Sequence, residues 1–386
     1  MVAADRSRNV PPGGLAALLN TAREHGAVDL AVGTPRWPEP DPELIEHACA
    51  ALRAGHNQYE HPDGNVELRT RLAESLGTPG IAPDPLTELT VVVGGTEGLA
   101  VALLSVVDPG DEVVVLEPCY EGFLGAIALA GGRPRLVRTS PSGWGVDLEA
   151  LAAAFGPRTK AIVLNSPGNP AGHVLSRQEL DAVADLCERW NVTVVADEVY
   201  SAYVYGDQPH VSVADVPGLT ERSIVIGSLS KSHAISGWRM GFLRANSALT
   251  AVLRKVHIAT TAGAPAPFQH AVARAGILGT DRWRPAEQMR RHRDRAVAIF
   301  TGIGLRCAVP DGGCYLMADI TAVTEEGSDE FARRLVTGGG VAVVPGGFFF
   351  GDPRDGTRFV RIAFNRPDET FDEVERRLAR SPRRWS

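Results

Sequence analysis

Short runs of β-branched residues alternate with helix-patterned stretches through the middle of the chain. Five such runs occupy residues 90–93, 112–116, 160–164, 191–196 and 223–227. The stretches between them carry apolar residues at helical spacing. This alternation is typical of the α/β fold class, with a mostly parallel central sheet and helices on both faces.

Outside the alternating region, the apolar spacing predicts further elements. A helix is expected over 42–54, and the capping-box pattern from Ser176 to Glu179 predicts the start of another. An apolar-patterned stretch covers 267–278, and a charged helix is expected over 284–298. A strand-like run is expected at 30–32, before a Gly/Pro-rich turn.

The length of the chain favours two domains. Its 386 residues are 44% hydrophobic, which is enough to bury a large core. We expect a large domain over 42–278. A smaller α+β domain is expected to combine residues 1–41, which include an N-terminal arm, with residues 279–386.

Charge and composition narrow the classes of partner. The formal net charge is −7 and is spread along the chain without a basic run, so a nucleic-acid partner is not expected. The chain has neither the pattern of a signal peptide at its start nor an apolar run long enough to span a bilayer. The five cysteines are scattered and lack zinc-ligand spacing, which is typical of reduced thiols in a cytoplasmic protein without a metal site.

Lysine is rare in this chain, and one lysine lies in an unusual segment. Only three of the 39 Lys and Arg residues are lysines, so arginine is preferred wherever a positive charge suffices. Lys231 lies among the hydroxyls of Ser228, Ser230 and Ser232, and Arg239 follows. A lysine amine can lose its proton and condense with a carbonyl, which arginine cannot do. Hydroxyls and a guanidinium nearby suit a phosphate group.

This segment resembles the Schiff-base signature of the fold-type I, class I/II aminotransferases, which reads Ser-x-Ser-Lys, then Gly-Trp-Arg, then Gly. The resemblance implies pyridoxal 5′-phosphate (PLP) as the cofactor and Lys231 as the lysine that forms the aldimine with it. It also implies Ser228 and Arg239 as phosphate ligands. The large domain would then be the PLP-binding domain.

Three further segments resemble the cofactor site of the family. The Gly-rich turn after 90–93 assigns Gly95 and Thr96 to the phosphate, where free N–H groups at a helix start bind anions. The aromatic residue two positions after a proline, Tyr120, is expected to stack on the pyridine ring. In the segment 165–172, Asn169 would donate to the phenolic oxygen, although Ala171 replaces the usual threonine.

Two residues that follow the run 191–196 carry implied catalytic roles. Asp197 would face the pyridine nitrogen and keep it protonated, so that the ring can accept electrons. Tyr200 would hydrogen-bond the phenolic oxygen. Both roles come from the resemblance, because an Asp-Glu pair alone is more often structural.

The substrate side of the site is implied by two segments. Gly33 matches a Gly-x-Pro segment that lies over the substrate, but Arg36 and Trp37 depart from the usual pattern. Arg361 occupies the place of an arginine that pairs with the substrate α-carboxylate. Tyr59 matches a tyrosine that reaches the cofactor phosphate of a neighbouring subunit, which implies a homodimer.

The implied activity is transfer of the amino group of an α-amino acid to a keto acid. The same scaffold also supports β- or γ-elimination or replacement, cyclisation and oxidation, and the fold does not decide between them. A non-catalytic PLP-binding protein is the third reading, and Arg361 argues against it. No second arginine occurs over 262–268, so neutral, aromatic or basic amino acids are expected as substrates rather than aspartate.

Overall fold

A computed structural model describes residues 4–11, 15–77, 82–206, 210–279 and 285–380. The helices of this part of the chain are α1 (Asp5–Arg8), α2 (Leu15–Glu24), α3 (Pro42–Arg53), α4 (Val66–Leu76), α5 (Gly94–Val106), α6 (Glu121–Ala130), α7 (Leu148–Ala154), α8 (Arg177–Trp190), α9 (Leu229–Ser232), α10 (Ser247–Thr260), α11 (Ala266–Arg274), α12 (Ala286–Gly302), α13 (Ser328–Gly339) and α14 (Asp368–Leu378).

The strands of the same residues form three sheets. They are β1 (Val28–Asp29), β2 (Leu89–Val93), β3 (Glu112–Glu117), β4 (Arg133–Arg138), β5 (Thr159–Asn165), β6 (Thr193–Asp197), β7 (Ser223–Ser228), β8 (Met240–Arg244), β9 (Arg306–Cys307), β10 (Tyr315–Asp319), β11 (Val341–Ala342), β12 (Val344–Pro345) and β13 (Phe359–Ala363).

The largest sheet has seven strands in the order β2-β8-β7-β6-β5-β3-β4. Its neighbours pair in parallel except at β8, which is antiparallel to both β7 and β2. The expected α/β class with a mostly parallel central sheet is therefore confirmed. Because β8 runs in the opposite direction, its first residue lies at the same edge as the last residues of β2, β5, β6 and β7.

Helices cover both faces of this sheet, as the alternation of its side chains requires. Val113 and Val115 point into a core that includes Phe123 of α6. Val114, between them, points into the opposite core, which includes Leu180 of α8. Strands buried on both faces explain the nearly continuous apolar runs in the sequence.

A second, antiparallel sheet has the order β12-β13-β10-β9, and β1 pairs separately with β11. The strand expected at 30–32 begins and ends earlier, at Val28–Asp29. The ladder stops because the Asp29 carboxylate accepts hydrogen bonds from the N–H groups of Ala31 and Val32. Those two residues therefore turn away from the sheet.

Two expected helices have different bounds in the structure. α11 ends at Arg274, four residues before the end of the pattern at 267–278. The charged helix is α12, which extends to Gly302, whereas position 284, its expected start, lies outside the described residues.

Among the described helices, none combines the length and the apolar character that a membrane span requires.

The capping box at the start of α8 is formed and extends into a larger network. The Glu179 carboxylate accepts hydrogen bonds from the N–H groups of Ser176 and Val146 and contacts His173 Nε2 at 3.0 Å. Burial by itself would raise the pKa of Glu179, but the hydrogen bonds from His173, Val146 and Ser176 lower it to about 2. Glu179 thus fixes the end of the loop that carries Asn169.

We expect Glu179→Gln to lower the melting temperature at pH 7 by several degrees. A carboxylate whose pKa is lowered on folding stabilises the folded state at pH values above its ordinary pKa of 4.5. This stabilisation is lost as the pH falls from 4.5 toward 2. The shift corresponds to an upper limit of about 3 kcal/mol. Thermal unfolding between pH 7 and pH 3 should show the two proteins converging at low pH. The control is Glu188→Gln, an exposed position on the same helix; an equal pH dependence in both variants would contradict the assignment.

Candidate active site

The carboxyl edge of the central sheet brings together residues from distant parts of the sequence. Asn165 and Asp197 are the last residues of β5 and β6, and Lys231 lies in the short helix that follows β7. Open α/β sheets bind ligands outside this edge of the strands. The sequence folds this way because each buried strand ends where its polar residues begin.

The amine of Lys231 faces the second sheet. Its Nζ donates a hydrogen bond of 3.1 Å to the carbonyl of Gly33. The carbonyl of Lys231 accepts a 2.9 Å hydrogen bond from the hydroxyl of Tyr203, a fully buried residue. The backbone of Lys231 is thus fixed, while its amine donates to a backbone carbonyl and forms no ion pair with a carboxylate among the described residues.

Asp197 lines the cavity at the end of β6 and is half-buried. Its Oδ1 accepts a hydrogen bond of 3.3 Å from the N–H of Val199. Burial, and then the neighbouring charge of Glu198, raise the pKa of Asp197 to about 7, although Lys231 opposes the shift. A cationic ligand nitrogen placed against this carboxylate would restore its negative charge.

Arg361 is a buried guanidinium held from several sides. Its two terminal nitrogens donate to Asn169 Oδ1 at 3.0 Å and to the carbonyl of Ala31 at 2.7 Å. Its Cζ lies 4.4 Å from the ring centroid of Tyr315 and 4.7 Å from that of Phe349. Nε is buried and has no hydrogen-bond partner among the described residues. A carboxylate ligand would supply both the missing acceptor and the missing charge.

Tyr200 and Tyr315 form a hydroxyl pair beside these groups. Their oxygens are 3.1 Å apart and their rings meet edge to face. Burial and the proximity of Tyr315 raise the pKa of Tyr200 well above its ordinary value. The Tyr200 hydroxyl therefore keeps its proton and can donate a hydrogen bond to a ligand oxygen. Tyr315 has no role implied by the family resemblance, and its only signal in the sequence is its place after the Gly312-Gly313 turn.

The opposite end of the cavity is built to receive an anion. Gly95 and Thr96 lie in the first turn of α5, where N–H groups have no partner within the helix. Ser228 ends β7, and Arg239 precedes β8 with its guanidinium against Gly94, where a Cβ atom would lie 2.4 Å from Nη2. The hydroxyl of Ser230 is buried without a hydrogen-bond partner among the described residues. The sequence analysis did not single out Ser230 as a ligand.

One cavity of about 250 Å³ is lined by every site residue expected from the sequence except Tyr59. The residues that line it are Gly33, Gly95, Thr96, Tyr120, Asn169, Asp197, Tyr200, Ser228, Lys231, Arg239 and Arg361. Asn165, Ser230 and Tyr315 line it as well. Eleven positions spread over more than 300 residues of sequence therefore share one space.

Three of the singled-out residues lie outside this cavity. Tyr59 is 91% exposed, between α3 and α4. Arg36 pairs with Asp29 at 3.4 Å, and Trp37 packs edge to face on His292. The departures from the family pattern at Arg36 and Trp37 therefore affect the wall behind the site rather than its lining.

Comparison with known proteins agrees with this geometry. Residues 26–378 match the family model for aminotransferase class I and II. A probable N-succinyldiaminopimelate aminotransferase of Mycobacterium tuberculosis is 37% identical over 92% of each chain. Human kynurenine–oxoglutarate transaminase 1 is 32% identical over 94% of this chain and 93% of its own. The solved N-succinyldiaminopimelate aminotransferase of M. tuberculosis superposes with a TM-score of 0.92, covering 98% and 99% of the two chains at 35% identity.

The chain belongs to the class I and II aminotransferases. It is an enzyme that transfers an amino group between an amino acid and a keto acid, and the family implies PLP as its cofactor. The side chains present fit that group. Hydroxyls, a guanidinium and a helix start suit its phosphate, the aromatic Tyr120 suits its ring, and Lys231 and Asp197 suit its aldehyde and its basic nitrogen.

We expect Gly33→Ala to reduce kcat/KM about 100-fold and to lower the melting temperature by a few degrees, because it overpacks a buried contact. A Cβ atom at this position would lie 2.0 Å from the hydroxyl of Tyr315, so the hydroxyl pair and the Lys231 contact must shift. Displacement of catalytic groups by about 1 Å has effects of this size. Steady-state kinetics and a thermal scan would measure both quantities.

The matched control for this substitution is Gly156→Ala, because a Cβ atom there meets no atom within 4 Å. It should leave both kcat/KM and the melting temperature unchanged. Unaltered turnover by the Gly33 variant would contradict the close approach of Tyr315 to this backbone.

Proposed function

We propose that this aminotransferase binds PLP in the cavity described above and uses Lys231 as its catalytic amine. The observation that carries the proposal is the convergence of Lys231, Asp197 and Arg361 on one cavity. This chemistry requires three groups: an amine, a carboxylate, and a guanidinium that has no carboxylate partner among the described residues. Gly95, Thr96, Ser228 and Arg239 would hold the phosphate, and Tyr120 would stack on the ring.

When bound, PLP supplies an electron sink for the electrons released at the α-carbon of the substrate. The Nζ atom of Lys231 takes the α-proton and later returns it, acting first as a base and then as an acid. Asp197 stays ionised against the ring nitrogen. Tyr200 and Asn169 donate hydrogen bonds to the phenolic oxygen. Arg361 holds the substrate α-carboxylate, and Gly33 lies over the substrate.

The proposed donors are neutral, aromatic or basic α-amino acids, and the acceptor is a keto acid. Relatives named for N-succinyldiaminopimelate and for kynurenine with oxoglutarate differ widely in the side chain of the donor. The fixed parts of the site are those that contact the α-carboxylate and the reacting carbon. The side chain must therefore be selected elsewhere in the cavity.

Borohydride treatment of the purified holoenzyme should attach the cofactor permanently to Lys231. Peptide mapping by mass spectrometry would locate it. Lys160 and Lys255 serve as internal controls, since both are exposed and neither lines the cavity. A label on either of them, or full labelling of Lys231→Ala, would refute the assignment.

We also propose that the active unit is a homodimer in which Tyr59 completes the cofactor site of the neighbouring subunit. The support is the position of Tyr59, which is 91% exposed and outside the cavity of its own chain. A large aromatic side chain in that position is available to a second copy. It would contact the phosphate end of the cavity in the neighbouring subunit.

A mixed dimer of Lys231→Ala and Tyr59→Phe subunits tests this arrangement. If Tyr59 acts across the interface, one site of the mixed dimer carries neither substitution and regains up to half of the wild-type activity per dimer. Each parent homodimer, treated identically, is the control. Activity no higher than the sum of the parents would place Tyr59 outside the partner's site.

The domain organisation and location follow as further proposals. Residues 42–278 would form the large PLP-binding domain around the seven-stranded sheet, and residues 1–41 with 279–386 would form the smaller domain around the antiparallel sheet. All five cysteines are free thiols, which supports a reducing, cytoplasmic location. Limited proteolysis near residues 41 and 278, and fractionation of cells, would check these two statements.

A further inference from the structure

A second cavity opens beside Arg361 and is lined mainly by apolar side chains. It has a volume of about 330 Å³, and Leu15, Leu124, Val344, Phe348 and Phe350 contribute to its wall. Leu15, Glu121 and Arg361 line both this cavity and the one that contains Lys231. We call it the phenylalanine cavity. The shared residues place it next to Arg361 and directly beside the cavity that contains Lys231.

The wall of the phenylalanine cavity is fixed to the central sheet. The carbonyl of Phe349 accepts a 2.9 Å hydrogen bond from the N–H of Cys119, just after β3. The N–H of Gly351 donates to the carboxylate of Glu117 at the end of the same strand. Phe349 is only 2% exposed and packs on the Arg361 guanidinium. The apolar surface is therefore preorganised relative to the anchor.

The charges around this cavity disfavour an acidic side chain. Arg361 is its only basic lining residue among those described, and the α-carboxylate would occupy that guanidinium. Glu121, the first residue of α6, adds a carboxylate at the junction of the two cavities. It forms no ion pair with the described basic residues. A second carboxylate on the substrate would meet apolar walls and a like charge.

We propose that the phenylalanine cavity binds the substrate side chain and selects large uncharged apolar or aromatic amino acids over dicarboxylic ones. This inference rests on the proposed function, because it takes Arg361 as the anchor of the α-carboxylate. A large apolar side chain of the substrate buries apolar surface in this cavity, which favours its binding. A small or charged side chain buries less apolar surface and is therefore selected against. Leu124 and Phe348 act as specificity-determining residues.

The first experiment measures kcat/KM of the holoenzyme for phenylalanine, leucine, alanine, lysine and glutamate. Phenylalanine or leucine should exceed glutamate at least about 100-fold. A preference for glutamate or lysine, with transamination intact, would overturn the cavity assignment alone. Failure to transaminate any of these amino acids would instead count against the proposed function.

Two variants separate side-chain binding from general damage. Leu124→Ala should lower kcat/KM for phenylalanine at least about tenfold and leave that for alanine within about threefold, because alanine does not reach the cavity. Leu129→Ala is the matched control, since this exposed leucine on the same helix lines neither cavity. Equal losses for both substrates in the Leu124 variant would overturn the proposal.

Binding without turnover provides an independent readout. Calorimetric titration of the holoenzyme with 3-phenylpropionate and with glutarate compares an aromatic and an acidic side chain on the same carboxylate. The first should bind at least about tenfold more tightly. Glu121→Gln should improve glutarate binding about two- to fivefold and leave 3-phenylpropionate unchanged. Tighter binding of glutarate by the unmodified enzyme would overturn the proposal.

Discussion

Two buried guanidiniums hold residues 29–34 against the end of β13, and the active site depends on them. Arg366 donates to the carbonyls of Asp29, Val32 and Thr34, and Arg361 donates to that of Ala31. Backbone carbonyls accept most of these N–H groups, and Asp29 Oδ1 lies 3.8 Å from Nη2 of Arg366, whose pKa burial lowers to about 10. Of the two guanidiniums, only that of Arg361 lines the cavity, where it is a buried positive charge available to a carboxylate ligand.

The same six residues connect the second sheet to the amine of Lys231. Gly33 lies at the end of the held segment, and its carbonyl accepts from both Lys231 Nζ and Asn365 Nδ2. The lack of a side chain at Gly33 allows the hydroxyl of Tyr315 to approach the backbone. One short segment thus helps to set the positions of the Lys231 amine, the tyrosine pair and the Arg361 guanidinium, although only its first residue, Asp29, belongs to a strand.

The proposed separation of the reacting groups and the side-chain pocket into two cavities would explain why members of this family differ in substrate. One cavity presents the three groups that we propose to act on any α-amino acid: Lys231, Asp197 and Arg361. The phenylalanine cavity presents side chains from the loop around Phe348 and from α6. Changes in that wall can alter the preferred side chain without touching the groups that bind the cofactor. The names of the relatives, which differ in substrate, agree with such an arrangement.

The sequence alone determined the α/β class and most of the candidate cofactor site. Buried strands read as apolar runs, and the residues that follow them, such as Asp197, must lie at one sheet edge because parallel strands end there. It missed the bounds of β1, because the side chain of Asp29 takes the N–H groups that would have continued the ladder. It also missed Tyr315 and the phenylalanine cavity. Those depend on contacts between segments far apart in sequence, including the hydrogen bond of Cys119 to Phe349, which no local pattern encodes.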